Sequence, residues 1–135
     1  MPEAMNRPTV APLLNVRRGV EAIEFYKTAF GAVEIFRTKS PDGAVVAQLF
    51  IGDCAFWLAD EAPEHQNFSP ESLGGSTVRM VLVVSDPDGV FDLAVAAGGT
   101  SLWPVADQRY GWRVGRLVDP FGHHWEIGKP IEQSS

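Results

Sequence analysis

At 135 residues the chain has the length of one domain, large enough to bury a core. With 45% hydrophobic and 21% charged residues it has an ordinary globular composition, and a net charge of −6 without any Lys or Arg cluster argues against nucleic acid or an anionic membrane as partner. No apolar run approaches the roughly 20 residues that span a bilayer, and residues 1–8 form a polar tail without the apolar stretch of a signal peptide, so a cytoplasmic protein is expected.

In chain order, residues 10–16 read as a first strand, with Pro12 at an edge or entry position. Residues 19–30 read as a helix, because Ala22, Phe25, Ala29 and Ile23, Tyr26, Phe30 recur at spacings of three and four. Gly31 is its left-handed stop. A strand over 33–38, a turn at Ser40-Pro41-Asp42-Gly43, and a hairpin of 44–51 with 55–59 follow. Cys54, the only cysteine, leaves no intrachain disulfide and no cysteine-based zinc site. It is either a reactive thiol or a small apolar residue beside a strand. Residues 60–76 show no periodicity and read as a long linker. Then come a strand over 77–84 and a helix over 87–97, with Asp86 as N-cap, Pro87 at the first position, and Gly98-Gly99 as stop. A strand over 100–105 and a loop over 106–111 lead into strand 112–118. The turn Asp119-Pro120-Phe121-Gly122 returns the chain into 124–127.

These elements occur twice. Sliding the sequence by 68 positions lays 44–49 on 112–117 and pairs Val16 with Val84, Gly31 with Gly99, Gly43 with Gly111, and Trp57 with Trp125. Each half is a strand, a helix and three strands: module one over 9–60, a linker over 61–76, module two over 77–130, together one domain over 9–130. Strand alternation then predicts two faces. Val45, Ala47, Leu49, Ile51, Trp57, Met80, Leu82, Val84, Leu117, Trp125 and Ile127 turn to the helices. Ala11, Leu13, Asn15, Val46, Gln48, Phe50, Phe56, Leu58, Arg79, Val81, Val83, Trp112, Val114, Arg116, His124 and Glu126 turn to the other, concave face.

The helix Glu24-Phe25-Tyr26 running into Ala29-Phe30-Gly31-Ala32, and the closing run from Asp119-Pro120-Phe121-Gly122 to His123-His124-Trp125-Glu126, resemble the vicinal oxygen chelate superfamily: glyoxalase I, bleomycin-resistance proteins and extradiol dioxygenases. The resemblance covers roughly 9–130. It implies an α+β fold in which two βαβββ modules form a curved eight-stranded mixed sheet, with a concave cleft and the helices on the outer face. It also implies a homodimer, in some members by exchange of modules between chains. Members with metal chemistry take one ligand from each of four strands. By position those fall here on Ala11, at or near Gln48, on Arg79 and on Glu126. Only Glu126 is a good ligand, and a guanidinium at 79 repels a cation, so no metal and no other cofactor is expected.

The concave residues mix aromatic and aliphatic walls with a few polar groups, the composition of a small-molecule site. Gln48, Phe50, Phe56, Arg79, Trp112, Arg116, His124 and Glu126 are the ligand-binding candidates. Arg79 and Arg116 could grip a ligand carboxylate or phosphate, or Arg79 could simply pair with Glu126. Trp103, Tyr110 and Trp112 could stack on a planar ligand or pack at a dimer interface. His124 and Glu126 share a face and could supply two metal ligands, with His65 a weak third, while His123 reads as a turn residue. Two functions remain open. One is a metal-free protein that binds or sequesters an apolar or planar small molecule, with or without an anionic group. The other is a lyase, isomerase or dioxygenase-type enzyme using Glu126 as base or metal ligand.

Overall fold

The structure is a computed structural model describing residues 7–132. Residues 1–6 of the expected N-terminal tail lie outside that range. The first half is β1 (Leu13–Val16), α1 (Gly19–Phe30), β2 (Val33–Lys39), β3 (Val45–Ile51) and β4 (Cys54–Asp60). A 3-10 turn (Pro63–His65) and a one-turn helix α2 (Pro70–Leu73) follow. The second half is β5 (Arg79–Val83), α3 (Pro87–Ala96), β6 (Thr100–Asp107), β7 (Trp112–Val118) and β8 (His124–Pro130). Each half forms a four-stranded mixed sheet, ordered β1-β4-β3-β2 and β5-β8-β7-β6, with one parallel pair at the module's first strand. The fold is α+β, and its eight strands lie in two sheets that share no strand pairing.

Local chemistry explains the helix ends. Arg18 offers α1 no side-chain cap. The Asp60 carboxylate at the end of β4 instead accepts from the Gly19 backbone N–H at 2.7 Å and from Val45 N–H at 2.8 Å. A Cβ on Gly19 would meet Val45 Cγ2 at 2.5 Å, so only glycine lets the helix start this close to the sheet. α1 stops at Gly31, in the left-handed region at φ 67°. Asp86 caps α3 by accepting from Gly89 N–H, with Pro87 in the first turn.

The region read as a structureless linker is a built strap. Ser69 caps α2, accepting from Ser72 N–H, and the Glu61 carboxylate takes Ser69 N–H and the Ser72 hydroxyl, both at 2.8 Å. Those local polar bonds replace the apolar periodicity by which a helix is recognised, so the sequence pattern did not reveal them.

The parity expectation fails in β4. Phe56 and Leu58 are buried in the core, while Trp57 is half-buried on the opposite face. The register shows why. Leu49 pairs with Phe56 and Leu117 with Trp125, so Phe56, not Trp57, is the counterpart of Trp125. The β3–β4 connection is the two-residue turn Gly52-Asp53, and β3 and β4 pair up to Ile51 and Cys54. In the second module the pairing ends at Val118 and His124, with Gly122 at φ 92° in the turn between them, and Leu117 and Trp125 stand eight positions apart where Leu49 and Phe56 stand seven. One extra residue reverses every side chain beyond it.

One core serves both modules. Tyr26 and Phe30 of α1, Phe56 of β4, and Phe121 and Trp125 of the second hairpin meet as one aromatic cluster, with Phe30 and Trp125 at 4.5 Å between ring centres. The helix-side faces of both sheets turn to this shared core.

Candidate functional site

The open face of the second sheet carries the polar constellation. Pleating and register set it out as a row across four strands: Val81 of β5, Glu126 of β8, Arg116 of β7 and Trp103 of β6. Arg79 lies one pleat along β5, opposite His124. Glu126 Oε2 accepts from Arg79 Nη1 and from Arg116 Nη2, each at 2.8 Å. The Arg116 guanidinium stacks over the Trp103 ring at 4.7 Å from its centre. Its Nε–H is buried and has no acceptor in the protein. Trp103, Gln108, Tyr110, Val114, Gly115, Arg116 and Glu126 line an open cavity of about 270 Å³.

Gly115 is required here. A Cβ at that position would lie 2.7 Å from Val105 N and 2.9 Å from Trp103 O. The absence of a side chain lets β6 close over β7 with its two register breaks, around Trp103 and Pro104, and so sets the Trp103 ring over Arg116.

Of the candidates from sequence, the structure brings Arg79, Arg116 and Glu126 into direct contact and puts His124 beside Arg79 in the strand register. Trp112 is on the same strand face but outside the cavity, opposite Pro130. Gln48 and Phe50 are on the first sheet, not on the sheet that carries the charged row. Gln48 there sits between Trp57 and Phe36, whose rings meet edge to face at 6.1 Å. Leu13, Trp57, Gln48 and Phe36 are thus the first module's uncharged equivalent of Val81, Glu126, Arg116 and Trp103. Phe56, expected on the open face, belongs to the core for the register reason given above. Trp57 and Phe36 are open-face residues that the sequence reading missed, and the length of the Gly52-Asp53 turn was the signal that could have found Trp57.

The turn before Glu126 fixes its strand. The buried Asp119 accepts from Phe121 N–H (2.9 Å) and His123 N–H (3.0 Å) through Oδ1, and from the Tyr26 hydroxyl and Trp125 Nε1 (2.9 Å) through Oδ2. Burial, and then the Asp119 charge, hold the Tyr26 hydroxyl well above its ordinary pKa, so it stays a donor. His123 Nε2 lies 2.9 Å from Asn15 O of β1. Arg18 donates to Pro120 O and stacks on Phe121. The Asp-Pro-Phe-Gly turn is in this way bolted to the first module, and β8 leaves it with Glu126 on the open face.

A divalent metal does not fit this constellation. At the positions where the resemblance puts ligands, Ala11 has no donor and Arg79 is a cation. Glu126 Oε2, on the one good ligand residue of that set, is already engaged by two guanidiniums. Among the described residues no group of three or more His, Cys, Asp and Glu is placed to hold a metal ion.

Comparison with known proteins agrees with the architecture. The uncharacterized protein Rv0887c of Mycobacterium tuberculosis is 40% identical over 130 residues, spanning 93% of this chain and 76% of that protein. The X-ray structure of the Arabidopsis thaliana gene product At5g48480 superposes with a TM-score of 0.72 at 26% identity, covering 91% of this chain and 98% of that one. FosX, a fosfomycin resistance protein from Listeria monocytogenes, superposes with a TM-score of 0.72 at 13% identity, over 92% of this chain and 94% of its own, and so shares the fold. The duplicated modules, the bolted turn and a family profile that matches residues 9–127 agree: the chain belongs to the Glyoxalase/Bleomycin resistance protein/Dioxygenase superfamily.

Proposed function

We propose that this protein is a metal-free small-molecule binding protein, which sequesters an apolar or planar ligand on the open face of its second sheet. The observation that carries the reading is the double engagement of Glu126 by Arg79 and Arg116. Arg79, at one of the positions where the resemblance puts a ligand, and Arg116 leave the one good ligand residue already paired. The enzyme reading, with Glu126 as base or metal ligand, is the weaker one: its Oε2 already takes a hydrogen bond from each of two guanidiniums, which compete with a substrate or a metal for that oxygen. A role in resistance to a toxic compound, as FosX has toward fosfomycin, belongs to the same proposal, as does a cytoplasmic location, which the free and exposed Cys54 suits.

Metal analysis and ligand screening test the reading together. Protein purified without chelator should carry no stoichiometric Zn, Ni, Mn or Fe. A thermal-shift screen over natural products and small metabolites should return compounds that raise Tm, since a ligand bound only by the native state stabilises it. A stoichiometric metal would overturn the metal-free assignment. Turnover of a screened compound, lost in Glu126→Gln, would move the protein to the enzyme class.

A further inference from the structure

The charged row has an arithmetic that goes one step further, and it rests on the reading that this face is a ligand site. Arg79 and Arg116 are two positive charges against the single negative charge of Glu126, so the triad is left with one uncompensated positive charge. Each guanidinium gives only one of its five N–H groups to Glu126, Nη1 from Arg79 and Nη2 from Arg116, which leaves donors to spare. The Nε–H of Arg116 is buried without an acceptor, so the protein itself does not complete this cluster. The Arg79 side chain is 56% exposed and can reach an incoming group. Next to these charges stand two large aromatic rings facing solvent, Trp103 at 58% and Tyr110 at 70% exposure, on the same cavity as Arg116 and Glu126. Large exposed rings beside a positive centre form a wall that a folded protein would otherwise bury.

We propose that this cavity takes an aromatic monocarboxylate, its ring laid on the Trp103–Tyr110 wall and its carboxylate meeting the charge that Glu126 leaves uncancelled. A planar carboxylate matches the guanidinium fork in two parallel hydrogen bonds. One negative charge brings the site to neutrality. A phosphate dianion would leave excess negative charge beside Glu126, and a cationic ligand would meet net repulsion. A neutral arene gains the stacking and leaves the positive charge bare. Glu126 acts here as a positioning residue: it holds the two guanidiniums on one line while competing with the ligand for their charge.

Calorimetric titration with naphthoate, its uncharged isostere naphthamide, and cyclohexanecarboxylate tests this on the unmodified protein. Naphthoate should bind about tenfold or more tighter than either of the others, the scale of one charge-assisted contact or one stacked ring. Arg79→Gln should bring naphthoate down to the level of naphthamide and leave naphthamide unchanged. Glu126→Gln should tighten naphthoate alone. Circular dichroism on both variants checks that they are folded. Naphthamide binding as tightly as naphthoate, or Glu126→Gln weakening the acid, would overturn the assignment. If none of the three probes binds while other compounds raise Tm in the screen, the aromatic-acid assignment falls and the binding reading stands. If naphthoate binds as expected and the purified protein also holds a stoichiometric metal, this assignment stands and the metal-free reading falls.

Discussion

Asp119 accepts four hydrogen bonds from groups in both modules while almost wholly buried, and a carboxylate has about four acceptor positions to fill. Its charge is tolerable only because every donor around it points inward. Asp119→Ala leaves two backbone N–H groups, the Tyr26 hydroxyl and the Trp125 indole N–H without an acceptor. Urea unfolding should register a loss of about 3 kcal/mol or more, from several unsatisfied buried donors. Tyr26→Phe removes one donor and keeps the ring in the aromatic cluster, and should cost about 1.5–3 kcal/mol, the range for a hydrogen bond to a charged group. Equal, negligible losses in both variants would mean that the turn is held by packing alone. The same contrast separates two kinds of carboxylate in this chain: Asp119 is buried to hold structure, and Glu126 is left partly exposed between cations.

At the level of elements, the sequence is legible wherever one pattern decides alone. The period of α1, the cap of α3 and the stops at Gly31 and Gly98 follow from side-chain spacing and backbone freedom, and the structure forms them there. The Arg79–Glu126 pair is one of two alternatives drawn from the resemblance, which puts both residues at its ligand positions, while strand alternation, correct in module two, puts both on the open face. The same counting failed in β4, because the repeat offset was carried across a hairpin with one residue fewer between equivalent paired positions. Stability should report this directly: Phe56→Ala, in the core, should cost about 3–5 kcal/mol, while Trp57→Ala, on the open face, should cost clearly less despite removing the larger ring. The reverse order would restore the original parity. The strap was illegible for a different reason, since polar side chains and not an apolar stripe hold it. The Ser69 N–H first, then the Ser72 hydroxyl and Arg17, bring the Glu61 carboxyl down from 4.5 to about 2, against the opposing effect of desolvation. A carboxyl depressed in the folded state contributes stability that is full above its unfolded value and is lost as it protonates. The strap should therefore loosen as pH falls from about 4.5 to about 2, and Glu61→Gln should flatten that part of the stability profile. An unchanged profile in Glu61→Gln would show that the acid loss arises elsewhere.

For the whole molecule, the decisive feature is that the two modules share one core from the inside. The aromatic cluster joins Tyr26, Phe56 and Trp125, so both sheets bury their helix-side faces in one core, and the charged face and the Trp57–Phe36 face belong to separate sheets. The strands at the sheet edges, β1 and β5, each pair with one neighbour only, and they leave Leu13, Val81 and Val83 between 51% and 63% exposed. Open edges flanked by apolar side chains favour further association. A second copy related by a two-fold axis could set the uncharged face of one chain against the charged face of the other, closing a cleft with an apolar wall and a positive one. Homodimerisation of this kind is our expectation, in line with what the family resemblance implies. Sedimentation at micromolar concentration should then give a species of twice the chain mass. Val81→Asp, on the β5 edge, should shift it toward the monomer without unfolding it, because Val81 is already exposed in the single chain. Tightening of the thermal-shift ligands with rising protein concentration would tie the site to the dimer. A species of single-chain mass at every concentration would leave the second sheet's face as a complete, open site on its own.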